Sequence, residues 1–263
     1  MKWKIKKPDR KEVEKLASEL EVSQVVAWVL QNRGIVEVTK AKEFLSPSLA
    51  NLGADVLLSG AEEAVTRISK ALDNGETIGI HGDYDVDGIT GTALLERFLR
   101  ELVGKTVSYL PHRQKEGYGM KPSGVEELHR QGASLLISVD CGINDHEAVD
   151  RARQLNMDVI IVDHHQVPET LPNACAIINP QLPACPYNGE DLSGVGVAFY
   201  LCIALRAHLR NTGRTKNGPN LKSYLDLVAL GTIADVVPIT GLNRVLVHFG
   251  LSELADSRRP GII

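Results

Sequence analysis

The chain has 263 residues, 43% of them hydrophobic, with a formal net charge of −4 and a pI near 6.1. That length supports one substantial core, or one domain with a smaller appendage, and the mild acidity excludes a global basic field, so a bound polyanion must rely on a local patch or on cations. No stretch is long and apolar enough to span a bilayer, and the basic opening "MKWKIKKPDRKEVEKL" has no apolar leader segment, so a cytoplasmic, soluble chain is expected.

The four cysteines (Cys141, Cys175, Cys185, Cys202) fall at no C-x-x-C spacing and read as buried free thiols rather than a disulfide framework or zinc site. Residues 1–58 read as a helical arm: "DRKEVEKLASEL" and "SQVVAWVLQNRG" carry apolar residues at three-to-four spacing, with Gly34 placed to end the second helix and Pro47 breaking the segment "KAKEFLSPSL".

From about residue 61 the pattern alternates. An amphipathic helix, "AEEAVTRISKALDNG", precedes a short apolar strand, "TIGIH" (77–81), and a second helix, "GTALLERFLRELVG". Further strands are predicted at 106–111, 134–140, 158–165 and 174–179, with helices over "SGVEELHRQG" and "NDHEAVDRARQLN". Short apolar strands separated by helices predict an α/β fold, a parallel sheet with helices on both faces. After Gly189 the chain reads as helical again, interrupted by the polar loop "NTGRTKNGP". The predicted domains are therefore the arm, 1–58, and a catalytic domain, 59–263.

Ligands bind outside the carboxyl ends of the strands of such a sheet, and the acidic and imidazole residues collect there. The first strand delivers His81, Asp83, Asp85 and Asp87; the third delivers Asp140; the fourth delivers Asp163, His164 and His165. Aspartates this close raise one another's pKa unless a positive group sits among them. Oxygen and imidazole donors suit manganese, with magnesium, iron or zinc as less decisive choices. "DYDVDG" also matches the opening of a calcium-binding EF-hand loop, but the twelfth position from Asp83 is Leu94 rather than Glu, and a strand stands where an incoming helix is needed. The carboxylates outnumber the needs of one ion. Two divalent cations would clamp a phosphoryl group and activate a water near neutral pH.

Together "HGDYDVDG", the aspartate of "SVDCGI", "VDHH" and the later "GTIADVVP" resemble the DHH phosphoesterase superfamily, and within it most the bacterial exonucleases specific for single-stranded DNA. The resemblance runs from about Leu30 to the end. It implies a two-metal phosphodiesterase using Mn2+, with Mg2+ as substitute, acting 5′ to 3′ in DNA repair and recombination. It implies that His81 and Asp85 hold one ion, that Asp87, His164 and Asp235 hold the other, and that Asp140 bridges both. His165 would face the scissile phosphate, Asp83 would orient His81 or a water, and Asp163 would support the histidines. A further, nucleic-acid-gripping domain is expected beyond residue 263.

Single-stranded DNA is the expected partner, and docking of a single-strand-binding protein stays open. The segment "PHRQKEGYGMK" offers Arg113, Tyr118 and Lys121 for a strand. Ser193 and Gly194, opening a helix, offer its N-terminus to a phosphate. The basic stretch from Arg206 to Lys216 reads as a solvated helix end. Two rival readings remain: a DHH enzyme for pyrophosphate, short oligonucleotides or cyclic dinucleotides, and a non-catalytic nucleic-acid-binding scaffold.

Overall fold

The computed structural model describes residues 6–52, 58–102, 104–183, 185 and 191–263. The first five residues and the boundary read at Gly189 lie outside them. The chain divides into two compact units, Met1–Asn51 and Leu52–Ile263.

Among the described residues the first unit holds three α-helices, α1 (Arg10–Leu20), α2 (Gln24–Asn32) and α3 (Val38–Leu45), and a short 3-10 turn, Leu49–Asn51. Asp9 caps α1, accepting from the Lys11 and Glu12 amides, and Ser23 caps α2 through the Val26 amide. Gly34, at φ 79, supplies the left-handed turn after α2. Val13, Leu16, Ala17, Ala27, Leu30 and Ala41 form this unit's own small core.

The second unit begins with α4 (Ala61–Asn74) and then alternates: β1 (Thr77–Gly82), α5 (Val86–Glu101), β2 (Lys105–Tyr109), α6 (Pro122–Arg130), β3 (Ala133–Val139), α7 (His146–Gln154), β4 (Asp158–Val162) and β5 (Ala176–Ile178). The helices α8 (Gly194–Asn211), α9 (Leu225–Ala234) and α10 (Gly241–Ala255) follow. All strand pairs are parallel, in the order β2-β1-β3-β4-β5. The chain turns outward from β1 to β2 and then back past it to β3. The crevice between the carboxyl ends of β1 and β3 is therefore the topological switch point.

Side chains alternate across the strands. On one face Leu136, Val159 and Ile161 pack with Val125 and Leu128 of α6 and with Ala148, Val149 and Ala152 of α7. On the other, Ile78, Ile80, Ile137 and Ile160 are fully buried, and a Cβ on Gly91 of α5 would come within 2.5 Å of Val139 Cγ1. Helices thus cover both faces, as the sequence predicts. At the amino ends of the strands, Arg67 of α4 donates from Nη2 to Glu76 at 2.6 Å and from Nε to Asp158 at 2.6 Å, while Ser134 Oγ donates to Glu76 at 2.9 Å. This ties α4 to the strand starts, at the edge opposite the acidic residues.

Candidate metal centre

Each acidic side chain reaches the carboxyl edge through a local feature. Asp83 follows β1 in a turn so tight that a Cβ on Gly88 would stand 2.6 Å from the Asp83 backbone nitrogen. Asp85 caps α5, its Oδ1 accepting from the Gly88 amide at 3.0 Å. Asp87 is buried in the first turn of α5 and accepts from the Gly194 and Val195 amides, at 2.6 and 2.9 Å. Its charge thus sits on the positive end of α8. Asp140 follows β3 at φ 61, its own amide donating to Val162 at 2.9 Å. Asp235 closes α9, and the next residue, Val236, is held at φ 63. A β-branched residue is rarely left-handed, so the surrounding structure imposes this turn.

Among the described residues, three sets of donor atoms lie within 4.8 Å of one another: Asp87, His164 and Asp235; Asp83, Asp85 and Asp140; and Asp140, His164 and His165. His164 Nε2 stands 3.1 Å from Asp140 Oδ1, 3.7 Å from Asp235 Oδ2 and 3.8 Å from Asp87 Oδ2. Two glycines beside these atoms have a steric reason. A Cβ on Gly231 would lie 2.9 Å from Asp87 Oδ1, and one on Gly194 would lie 2.8 Å from Asp140 Oδ1.

The electrostatics are those of carboxylates lacking a counter-charge. Burial, then the charges of Asp87 and Asp85, push Asp140 far above the ordinary carboxylate range. Burial also raises Asp87, partly offset by the Val195 amide, and burial raises Asp83 and Asp235. Asp140 Oδ1 and His164 Nε2 are buried and make no aligned hydrogen bond, and both Asp83 oxygens are likewise unpaired despite the nearby Tyr84 and Gly119 amides. Buried polar atoms without partners are costly. Unpaired oxygens and an imidazole nitrogen converging on one crevice are the donor set that a divalent cation of the manganese or magnesium kind takes up.

Asp163 has another task. Its Oδ2 accepts from the Ile143 amide at 3.0 Å, and its Oδ1 from the His164 amide, the His165 amide and His165 Nδ1, at 2.7, 3.2 and 2.7 Å. Burial opposes its charge, but these bonds, led by that of His165, hold it below the usual range. In return the Asp163 bond raises His165.

His81 stands in none of the three sets. It lies on the face of β1 that meets α6: its Nε2 would be 2.7 Å from a Cβ on Gly124, its ring centroid is 5.2 Å from that of Tyr109, and its Nδ1 is 3.9 Å from Cys141 Sγ. Burial lowers its pKa to about 4, leaving a neutral imidazole with an unpaired Nε2. Asp83 rather than His81 is the residue brought together with Asp85 and Asp140.

At Ser193 and Gly194, where a phosphate site is expected, the helix start has partners within the chain. Asp87 takes the Gly194 and Val195 amides, Ser193 Oγ takes the Gly196 amide at 3.2 Å, and both residues are buried. An aspartate already fills the place of the anion. Of the other proposed substrate contacts, Arg113 lies over the Tyr84 ring at 5.3 Å, and the half-exposed Tyr118 meets Tyr84 edge-on at 6.4 Å between ring centroids. Lys121 precedes α6 at the exposed surface; burial raises the Asp145 carboxyl, and the charge of Lys121 offsets a small part of that rise. In the second basic stretch Arg214 is committed to Ser69 and Asp73, and Arg206 donates to the Pro219 carbonyl. Tyr84 and Asp145 are the residues near the site that sequence reasoning missed; an aromatic between two aspartates and an aspartate opening a helix carry no distinguishing signal.

The model of the DHH family, N-terminal domain, matches residues 77–232. Single-stranded-DNA-specific exonuclease RecJ of Escherichia coli is 47% identical over 211 residues, covering 78% of this chain and 37% of its own length. The protein of the same name from Bacillus subtilis is 37% identical over 262 residues, covering 100% of this chain and 32% of its own. The crystal structure of RecJ in complex with Mn2+ from Thermus thermophilus superposes with a TM-score of 0.79 at 33% identity, covering 98% of this chain and 35% of that one. The chain spans about a third of the length of these relatives.

Proposed function

This chain belongs to the DHH family, and from that premise we propose that it carries the hydrolytic centre of a divalent-metal-dependent exonuclease acting on single-stranded DNA. The observation that carries this reading is the convergence of Asp83, Asp85, Asp87, Asp140, His164 and Asp235, with unpaired buried donors, on the switch point of the sheet. The names of these relatives support the substrate class, and the Mn2+ in the crystal structure of the Thermus thermophilus RecJ supports the metal.

Asp87, His164 and Asp235 would hold one Mn2+, and Asp83 and Asp85 a second, with Asp140 shared between them. When bound, such a pair neutralises phosphoryl charge and lowers the pKa of a water. The chain's own residues do the positioning. Asp163 fixes the His165 ring through Nδ1, and His165 would meet the scissile phosphate through Nε2. Asp87, anchored on α8, keeps its orientation whether or not an ion is present. Arg113, Lys121 and the rings of Tyr84 and Tyr118 would receive the strand by charge and stacking, with attack from the 5′ end. Residues 1–58 would act as an arm outside the chemistry.

The test is manganese-dependent nucleotide release from 5′-labelled and 3′-labelled single strands, with duplex as comparison. Release from single strands alone, beginning at the 5′ end, is expected. Hydrolysis of pyrophosphate or cyclic dinucleotides with long strands left intact would overturn the substrate assignment.

A further inference from the structure

The turn after Asp235 is held in a conformation that its own residue does not favour. Asp235 ends α9, and Val236 takes the left-handed position beyond it, at φ 63, its amide donating to the Ile233 carbonyl at 3.3 Å. In that helix-ending geometry glycine is the usual residue. Val236 is 83% exposed, so packing of its side chain does not offset the strain. Pro238 stiffens the next step: its ring fixes its own φ and steers Val237 toward extended backbone.

The far end of this turn is tied down by Asn243, in the first turn of α10. That side chain is 2% exposed, and its Nδ2 donates to the Pro238 carbonyl at 3.0 Å and to the Asp191 carbonyl at 2.6 Å. Its Oδ1 is buried and makes no hydrogen bond, so the amide serves through its donors alone. The helix gives it a firm base, since a Cβ on Gly250 would stand 2.3 Å from the Leu225 carbonyl oxygen of α9. Asp191 leads into the start of α8, whose Gly194 and Val195 amides hold Asp87, and there Ser193 Oγ meets Thr232 Oγ1 of α9 at 2.9 Å. One amide thus joins the segment before the anchor of Asp87 to the segment after Asp235.

We propose that Asn243 is a positioning residue for the metal centre. By gripping the Pro238 carbonyl it imposes the left-handed turn at Val236, and so sets where Asp235 stands relative to Asp87 and His164. The effect on metal rests on the reading of Asp235 as a ligand; the coupling of Asn243 to Val236 does not.

The experiment is a double-mutant cycle on the whole chain, with Asn243→Ala, Val236→Gly and the pair. It is read by urea unfolding without metal, and by Mn2+ binding followed through the electron paramagnetic resonance of the free ion. Val236→Gly alone should raise the folding constant about three- to tenfold, because glycine adopts the left-handed conformation without the cost that a β-branched residue incurs. In Asn243→Ala, where the turn can relax, the same substitution should bring no gain. Asn243→Ala should weaken Mn2+ binding about tenfold, as loss of an outer partner of a ligand does. Adding Val236→Gly should restore part of that affinity, by making the left-handed turn available again. Equal gains in folding from Val236→Gly in both backgrounds overturn the clamp. Unchanged Mn2+ affinity in Asn243→Ala overturns the positioning role. A loss of affinity that Val236→Gly does not restore means that Asn243 acts through Asp191 on α8, and overturns its assignment to Asp235. If Asn243→Ala does not fold, the milder Asn243→Ser takes its place in the cycle. A parent chain that binds no Mn2+ refutes the proposed function, while the unfolding cycle still decides the clamp.

Discussion

Gly194 lies directly against Asp140: a Cβ built on the glycine would stand 2.6 Å from Asp140 Cβ and 2.8 Å from Oδ1. The first residue of α8 and the residue after β3 thus share a space with no room for one methyl group. Gly194→Ala must displace either the helix start, with its amide bonds to Asp87, or the carboxylate itself. The expected cost is about 1–3 kcal/mol of stability, typical of an overpacked site. Manganese binding should fall more steeply than stability, because each of the three donor sets includes Asp140 or Asp87. Calorimetric titration with Mn2+ beside a thermal melt separates the two effects. Unchanged metal affinity with lowered melting would show that Asp140 does not hold metal.

Asp235 belongs to one of the three sets only, with Asp87 and His164, whereas Asp140 belongs to the other two and stands 3.1 Å from His164 of the first. Asp235→Asn should therefore reduce the manganese stoichiometry from the proposed two ions to one. Asp140→Ala should remove both and lower hydrolysis about a thousandfold, comparable to losing a central electrostatic group in other active sites. Equilibrium dialysis with metal analysis reads the stoichiometry. Equal losses in the two variants would refute the separation into two sets.

The fold was legible because its signals are local. Short apolar runs such as "TIGIH" and "SLLISVD" can bury both faces only inside a helix-covered sheet, and β1 and β3 lie where those runs predict. The candidate residues were legible as a set for the same reason: they follow strands, and strand ends gather on one edge. Their partnership was less so. His81 is in β1, where side chains alternate, and pairing beside Tyr109 turns it toward α6. Asp83 lies past the strand, where alternation no longer dictates direction. Asp235 comes from a helix end far along the chain, and no spacing foretells its approach to Asp87 and His164. Nor does the sequence of the α8 N-terminus give a sign that its first amides donate to the protein's own Asp87.

The Arg67–Glu76–Asp158 network makes a prediction about pH that is independent of the metal centre. Burial tends to raise Glu76, but hydrogen bonds from Arg67, Asn74 and Ser134 outweigh it and hold this carboxyl below its ordinary value. In acid the unfolded chain then binds a proton that the folded chain refuses, so stability rises with pH in that window. The contribution is complete above the unfolded-state pKa of about 4.3 and is lost as pH falls through the lower folded-state value. Glu76→Gln should cost about 1–2 kcal/mol at pH 7, since charge-assisted bonds are replaced by neutral ones. The difference between variant and parent should shrink in acid. Urea unfolding at pH 7 and in the range below about 4.3 measures it, and a constant difference would exclude the network as the cause.

Arg113 and Arg214 sit in the two basic stretches and should behave as opposites. Arg113 is engaged only with the face of Tyr84 among its described contacts, a contact worth little at an exposed site. Arg214 donates from Nη1 to the Ser69 carbonyl at 3.0 Å and to its hydroxyl at 2.6 Å, and it pairs with Asp73. Arg214→Ala should lower stability by about 1–2 kcal/mol and leave affinity for single-stranded DNA within about twofold of the parent. Arg113→Ala should leave the melting temperature unchanged and weaken binding of the strand by about tenfold, with a smaller dependence on salt because one phosphate contact is lost. Fluorescence anisotropy of a labelled single strand across a salt series, run with Ca2+ in place of Mn2+ to prevent turnover, distinguishes them. Equal DNA affinities for the two variants would remove the segment around Arg113 from the path of the strand, and with it the stacking role assigned to Tyr84.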